Sequence, residues 1–461
     1  MRFNSLVFVE FACLFFLGWA QLGRRKPLAL VYVVLASWLF YGYETWWFVP
    51  LLVTTATVDW GMALAMDRWP TRKRVFLWAS CLSNLSALGM FKYMGFFAGI
   101  VNGVLGTAVS PPNLLLPIGI SFYTFQSLSY VFDVYRGKTA PTKRWLEFLA
   151  IVSLFAHLIA GPIVRVSKIL PQVQELRRPT SEEIWSGIDL ICVGFFKKMV
   201  LADRLGGLVD IVYRESRPSG LSAIFATMAF AFEIYYDFAG YTDIARGLAK
   251  WLGLDFGINF DHPYGAIGMS EFWSRWHISL STWVRDYLYI PLGGDRSGAW
   301  RTHRNLWISL VLAGLWHGAN WTFVVWGVLH AFYLSFERLT EWPKRVSISR
   351  AGRVTGSLVT FLLVCVGWVF FRAETLPRAF QLLQAMASPW VHGFFELPSD
   401  LPALAILIGG LAYEAKVFSN RQESAALWQL PSQWVAARNG ILLALCIVAP
   451  GTPRAFIYFQ F

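Results

Sequence analysis

The chain has 461 residues, of which 56% are hydrophobic and only 15% charged, with a mean hydropathy of +0.48. A soluble protein of this length does not carry that much apolar surface, and repeated apolar runs of roughly 17–25 residues indicate a polytopic helical membrane protein. The formal charge of +12 is scattered over short stretches between those runs, which suits cytoplasmic loops facing anionic head groups and gives no sign of nucleic-acid binding.

The first apolar run, Ser5 to Leu22, is followed by Gly23-Arg24-Arg25-Lys26 and lacks a small-residue cleavage site, so it reads as a retained span. The basic cluster belongs on the cytoplasmic side, which puts the N-terminus outside. Residues 28–42 then cross outward, and Tyr43-Glu44-Thr45-Trp46-Trp47 has the aromatic character of an outer interface. Residues 48–66 return to a basic stretch, Asp67 to Arg74. Further spans are predicted at 75–91, 96–109, 117–134, 146–164, 186–203, 220–240, 305–321, 323–340, 355–371, 402–418 and 439–456. Leu116-Pro117-Ile118-Gly119-Ile120 interrupts one of them, as in re-entrant or cavity-lining segments. No internal repeat or long linker divides the chain, so one membrane domain is expected over 1–461, with its chemistry in about 237–331.

The five cysteines, Cys13, Cys81, Cys192, Cys365 and Cys446, each lie in an apolar run and form no CxxC pair, so they read as small core residues. There is no HExxH, no Cys/His zinc spacing and no phosphate-binding loop ending in Lys-Ser or Lys-Thr. No GxSxG nucleophile elbow is present either.

Residues 237–303 fall between predicted spans yet interleave Trp, Arg, Asp and His, the composition of a half-immersed helix or a cavity wall. Helical spacing there predicts His277 beside Ser274 and Ser281, Glu271 paired with Arg275, Thr282 within reach of Asp286, and Trp276 and Trp283 on one stripe. Read blandly, this is an interfacial amphipathic helix with its tryptophans at head-group level; read functionally, it is a polar funnel wall.

His317 lies in Leu315-Trp316-His317-Gly318-Ala319-Asn320-Trp321, within an apolar segment. An imidazole at membrane depth is costly to keep, which makes it a functional-site candidate, and its neutral form suits a general base. The alternative is a packed histidine bonded to a backbone carbonyl. Asn320 follows by three and would share its face, able to hold a ring nitrogen or a substrate carbonyl. His303 would sit about 21 Å away along one helix and His330 about 220° around it, so no metal centre is expected on that helix.

Three stretches carry a resemblance: DFAGYTDIARGLAKWLGLDFGINFD from Asp237, EFWSRWHISLSTWVRDYLYIPLGG from Glu271, and LWHGANWTFVVWGVLHA from Leu315. They resemble the membrane-bound O-acyltransferase (MBOAT) superfamily in its bacterial alginate O-acetyltransferase branch. Weaker echoes, FNSLVF, LPIGISFYTFQSLSYVFDVYRG, AGPIVR, GFFKKMVLADRL and the terminal FIYFQF, extend it along nearly the whole chain. The resemblance implies an all-α ring of about 11–13 transmembrane helices around a thin funnel with re-entrant or amphipathic helices. It implies His317 and His277 as the catalytic pair. Trp316, Asn320, Trp276, Arg275, Arg285, Asp286 and Tyr241 are then the candidate substrate-binding residues. The donor expected is a cytoplasmic thioester, acetyl-coenzyme A, with no bound cofactor or metal. The expected setting is the bacterial inner membrane, with an extracytoplasmic SGNH-type acetyltransferase or a polysaccharide assembly complex as partner. Arg275, Arg285, Arg296 and Arg301 are the cations expected to meet the donor's phosphates.

Acyl transfer from a thioester to a hydroxyl needs a base for the hydroxyl and a donor for the carbonyl oxygen, in a site that excludes water. D-alanyl transfer to an envelope polymer is the second reading. A proton-coupled transporter or flippase is the third, with Glu233 and Asp237 as relay partners at i,i+4 and with His277 and His317. Transporters commonly show matching halves, and none is found here.

Overall fold

A computed structural model describes all residues except 2, 23–25, 113, 160, 297, 389–402, 411, 413–431, 460 and 461. The basic cluster after the first span lies largely outside the described residues, and so do residues 402, 411 and 413–418 of the span predicted at 402–418. Within the latter, 403–410 are helical. No strand occurs among the described residues, and the fold is all-α. Four helical runs are long and apolar enough to cross a membrane: Phe48–Arg68, Pro70–Leu105, Gly220–Trp251 and Arg350–Arg372. Leu6–Leu22, Lys26–Gly42 and Trp434–Val448 are shorter apolar helices.

The chain divides into two compact units. The first comprises residues 1–191 and 241–257. It contains α1 (Leu6–Leu22), α2 (Lys26–Gly42), α3 (Phe48–Arg68), α4 (Lys73–Leu88), α5 (Met94–Leu105), α6 (Ile120–Tyr135), α7 (Trp145–Val152), α8 (Phe155–Leu158) and α9 (Val166–Glu175). The spans predicted at 75–91 and 96–109 are one run: a π-helical turn, Gly89–Tyr93, joins α4 to α5. Lys92, in that turn, reaches Ser121 Oγ on α6 at 3.4 Å. The span predicted at 146–164 is broken into α7 and α8. The break is tolerated because Ser37 Oγ accepts the freed Phe155 N–H at 3.1 Å. Asp59 on α3 is buried and accepts hydrogen bonds from Ser80, Asn84 and Ser127, which ties α3 to α4 and α6.

The second unit comprises 192–240 and 258–461. α10 (Ser181–Phe195), whose residues to 191 are counted in the first unit, runs through a π-helical segment, Phe196–Ala202, into α11 (Asp203–Arg214). α12 (Gly220–Trp251) is 32 residues long, so the polar region predicted to start at 237 is helical to 251. Its charges do not end the helix because they are paired: Asp237 with Lys198 at 2.6 Å, Asp243 with Arg246 at 3.3 Å. Then follow α13 (Met269–Arg275), α14 (Ile278–Val284), α15 (Ala299–His317), α16 (Trp321–Thr340), α17 (Trp342–Val346), α18 (Arg350–Arg372), α19 (Leu376–Ala387), α20 (403–410) and α21 (Ser432–Val448). The last helix stops well short of the predicted 456.

α15 and α16 are antiparallel neighbours held at backbone distance by two glycines. A Cβ on Gly314 would lie 2.3 Å from the Phe323 carbonyl oxygen, and one on Gly327 2.6 Å from that of Leu310. Small residues at helix crossings permit this approach. Below the crossing lies an aromatic core of Trp276, Trp326, Trp368, Phe272 and Phe371, all buried.

Candidate functional site

His317 is the last residue of α15. Gly318 turns extended there, and the new helix starts only at Trp321. The imidazole is buried, with the rings of Trp316, Trp326, Phe371 and Tyr458 at 5.0, 5.1, 5.2 and 5.4 Å. Asn320 does not share its helical face. It caps α16, accepting the Thr322 N–H at 3.1 Å and donating to the Glu374 carbonyl at 3.0 Å. The predicted helical pairing failed because Gly318 ends the helix between the two residues.

His277 is not on a helix face either. It sits between α13 and α14 with φ 42° and ψ 54°, a left-handed conformation unusual for a residue with a side chain. The bend undoes the predicted neighbours: Ser281 Oγ donates to the Trp276 carbonyl, Ser274 Oγ to the Glu271 carbonyl, and Thr282 Oγ1 to Ile278 and Ser279, while Asp286 pairs with Arg285. The bend also breaks the helix on which Trp276 and Trp283 were to share a stripe. The imidazole is fully buried, 4.6 Å from the Phe238 ring and 6.3 Å from Trp316.

Its hydrogen bonding assigns the tautomer. Asn259 Oδ1 accepts the Ser279 N–H at 3.0 Å, which fixes the amide, and lies 3.3 Å from His277 Nδ1. Nδ1, with Ser279 Oγ as a second neighbour at 3.4 Å, then donates to Asn259, leaving a lone pair on Nε2, which is buried with no hydrogen-bond partner among the described residues. Burial pushes the imidazole down to about 3, so the ring is neutral. Tyr458 joins the two histidines, 5.4 Å from His317 and 6.4 Å from His277 between ring centres. Its hydroxyl is buried and likewise has no partner among the described residues.

A cleft of about 490 Å³ runs along α15 to His317. Leu306, Ser309, Leu310 and Ala313 line it at helical spacing, so one face of α15 forms a wall roughly 16 Å long ending at the imidazole. Ser270, Trp273, Ser281 and Val284, from α13 and α14, line it as well. Arg285, Arg338 and Lys344 also line it with Glu337 and Glu341, Arg338 at the end of α16 away from His317; the three cations pair with Asp286, Asp295 and Glu341 at 2.8, 3.1 and 2.8 Å. Glu337 also accepts the N–H groups of Met269 and Ser270, fixing the start of α13 against α16.

Of the predicted phosphate contacts, only Arg285 lines the cleft. Arg275 is bound to Glu271 at 2.6 Å, the predicted pair, and Arg296 and Arg301 are not among the lining residues. Trp316 packs against both histidines, whereas Trp276 is buried between Phe272 and Trp368 in the aromatic core. Tyr241 belongs to the first unit, where its ring lies 5.5 Å from Phe3. Sequence reasoning missed Asn259, Tyr458, Arg338 and Lys344. A hint for the last two was the basic cluster just beyond the apolar part of α16. His330 occupies the neighbouring helix, with Trp326 between it and His317. No group of three or more His, Cys, Asp or Glu side chains able to hold a metal occurs among the described residues.

Comparison with known proteins agrees with this arrangement. The sequence profile of MBOAT, the membrane-bound O-acyltransferase family, matches residues 142–373, which include both histidines. The chain is 39% identical over 401 residues to the Pseudomonas aeruginosa protein named "Probable alginate O-acetylase AlgI", covering 84% of this chain and 75% of that one. It is 33% identical to the peptidoglycan O-acetyltransferase of Helicobacter pylori, covering 84% and 80%. It is 26% identical to the teichoic acid D-alanyltransferase of Bacillus subtilis, covering 57% and 70%. With a profile match across half its length and such identity over most of it, this chain belongs to the membrane-bound O-acyltransferase family and is a membrane acyltransferase.

Proposed function

We propose that the protein moves an acetyl group from acetyl-coenzyme A toward hydroxyls of an exported polysaccharide, alginate or another envelope glycan. The observation that carries this reading is the cleft with His317 at one end and Arg285, Arg338 and Lys344 at the other. A long, thin donor with phosphates at one end and a thioester at the other matches that polarity. The acetyl class follows the relatives whose matches cover most of this chain, two of which are named for O-acetylation.

In this reading His317 takes the proton of the acceptor hydroxyl as its oxygen attacks the thioester carbonyl. The carbon–sulfur bond breaks, and the same proton leaves on the thiol. His277 Nε2, a lone pair in a dry site, accepts a hydrogen bond from a second hydroxyl of the acceptor sugar and so orients the one that attacks. The Tyr458 phenol donates to the carbonyl oxygen as it gains charge. The apolar ring wall excludes water, which protects the thioester from hydrolysis. The chain acts in the bacterial inner membrane with its N-terminus outside. An extracytoplasmic SGNH-type acetyltransferase or a polysaccharide assembly complex completes delivery.

The relay of the transporter reading loses its support in the site: Asp237 is bound to Lys198 and to the Ile457 N–H. Sealed vesicles test the proposal, with acetyl-coenzyme A on the cytoplasmic face and acceptor on the other. Far-side acetylation is expected, and His317→Ala should lower it by about 10²–10⁴-fold while the protein stays folded. Product formed only when donor and acceptor share a compartment, or a His317→Ala variant within about tenfold of wild type, would overturn it.

A further inference from the structure

The second unit contains a buried ion cluster whose members do not line the cleft. Lys198 Nζ lies 2.7 Å from Asp203 Oδ1 and 2.6 Å from Asp237 Oδ1, and all three side chains are at most 4% exposed. Such clusters are poor sources of net stability, because desolvating the charges cancels most of their attraction. Their retention is better explained by what they hold in place. One ammonium faces two carboxyls here, and the second oxygen of Asp237 is turned elsewhere: Oδ2 accepts the backbone N–H of Ile457 at 2.7 Å.

Ile457 opens the short turn Ile457–Phe459 that carries Tyr458. The strand of chain leading to it is fastened at several earlier points. Gly451 donates to the Met199 carbonyl at 2.7 Å, Arg204 donates to the Ala449 carbonyl at 2.9 Å, and Arg454 pairs with Asp210 at 2.8 Å. Arg372 of α18 binds the other oxygen of Asp210. These bonds hold the strap down, but only the Asp237 contact acts at the residue next to Tyr458.

We infer that Asp237, itself oriented by Lys198, is a positioning residue for acyl transfer: its bond to the Ile457 N–H seats the Tyr458 ring beside His317 and His277. The inference rests on the functional reading of the histidine site given above. Its physical basis is leverage. A 3-10 turn has little internal hydrogen bonding, so one buried charge-assisted bond at its first residue sets where the next side chain points. A displacement of about 1 Å at a reacting centre can cost as much as 10²-fold in rate.

Ile457→Pro deletes the N–H yet suits the first position of a turn, and it leaves the ion cluster untouched. Ile457→Ala keeps the N–H and loses the side chain. The expected result is a fall in kcat of about tenfold or more for Ile457→Pro, matched by Tyr458→Phe, with donor KM within about twofold and Ile457→Ala close to wild type. Equal kcat in Ile457→Pro and Ile457→Ala would overturn the inference, whether both are high or both low. Should Ile457→Pro be recovered unfolded, two neutral clusters decide. Lys198→Met/Asp203→Asn/Asp237→Asn keeps an oxygen acceptor for Ile457, without the Lys198 contact that orients it, and should retain more of kcat than a cluster with no acceptor. The same cluster with Asp237→Leu should lose it, and equal activity or joint loss in the two would count against the inference. His317→Ala run in parallel separates the claims: if it stays active, the reading of the site fails, whatever the Ile457 variants do.

Discussion

The Nδ1 atom of His277 and the Oδ1 atom of Asn259 are 3.3 Å apart, in a pocket where that oxygen already receives the Ser279 N–H. The contact holds a neutral ring in a left-handed backbone position. It leaves the lone pair on Nε2, in a ring whose centre lies 6.3 Å from that of Trp316 and 6.4 Å from that of Tyr458. A backbone conformation of this kind costs energy and persists where the surroundings over-determine it, often at functional sites.

Burial lowers the His277 imidazole from 6.5 to about 3. The folded state therefore prefers the neutral ring, and the unfolded chain binds the proton more readily. The stabilising contribution is complete above the unfolded value of 6.5 and is lost as pH falls from there toward 3. One proton corresponds to about 1.4 kcal/mol per pH unit in that window. Wild type should lose thermal stability between pH 6.5 and 4 more steeply than His277→Asn, since Asn also tolerates the left-handed backbone but does not titrate. Parallel pH slopes in a detergent melting series would show that His277 is not held neutral by the fold.

The sequence exposed the helical class, the apolar runs and both histidines, because buried imidazoles in apolar or Trp-rich stretches are conspicuous. It misplaced their neighbours. A periodicity argument continues a helix through Trp276-His277 and through Gly318, and neither break has a proline to announce it. Asn259 and Tyr458 reach the site from segments far away in the chain, and no local spacing relates them to His277 or His317. Lys198 and Asp237 fall inside the spans predicted at 186–203 and 220–240, and their mutual neutralisation depends on helix packing and is invisible in either segment alone.

The charged end of the cleft separates two sets of arginines and lysines. Arg285, Arg338 and Lys344 line it, whereas Arg275, Arg296 and Arg301 do not. Charge reversal at Arg285, Arg338 and Lys344 together should raise the KM for acetyl-coenzyme A by about tenfold or more with a smaller change in kcat. The effect should shrink at high salt, because these side chains are solvent-exposed and screened. Reversal at Arg296 and Arg301 should move KM by no more than about twofold. The opposite ranking in steady-state kinetics would place the donor's phosphates outside this cleft.

α15 supplies both His317 and one wall of the cleft, and its position depends on Gly327. A Cβ there would lie 2.6 Å from the Leu310 carbonyl oxygen and 3.0 Å from the Val311 Cα, backbone atoms that cannot rotate away. Gly327→Ala must therefore push α15 from α16, at a cost of about 1–3 kcal/mol. Since the displaced segment is the cleft wall, turnover should fall even at temperatures where the variant is fully folded. Gly207 provides the contrast: it lies within α11, and a Cβ added there would meet no atom within 4 Å, so Gly207→Ala should be neutral or stabilising by about 0.5–1 kcal/mol. Thermal melting and acetyl-transfer rates measured on both variants test this. If Gly327→Ala melts and turns over like wild type, the close approach of the two helices is not what sets the position of His317.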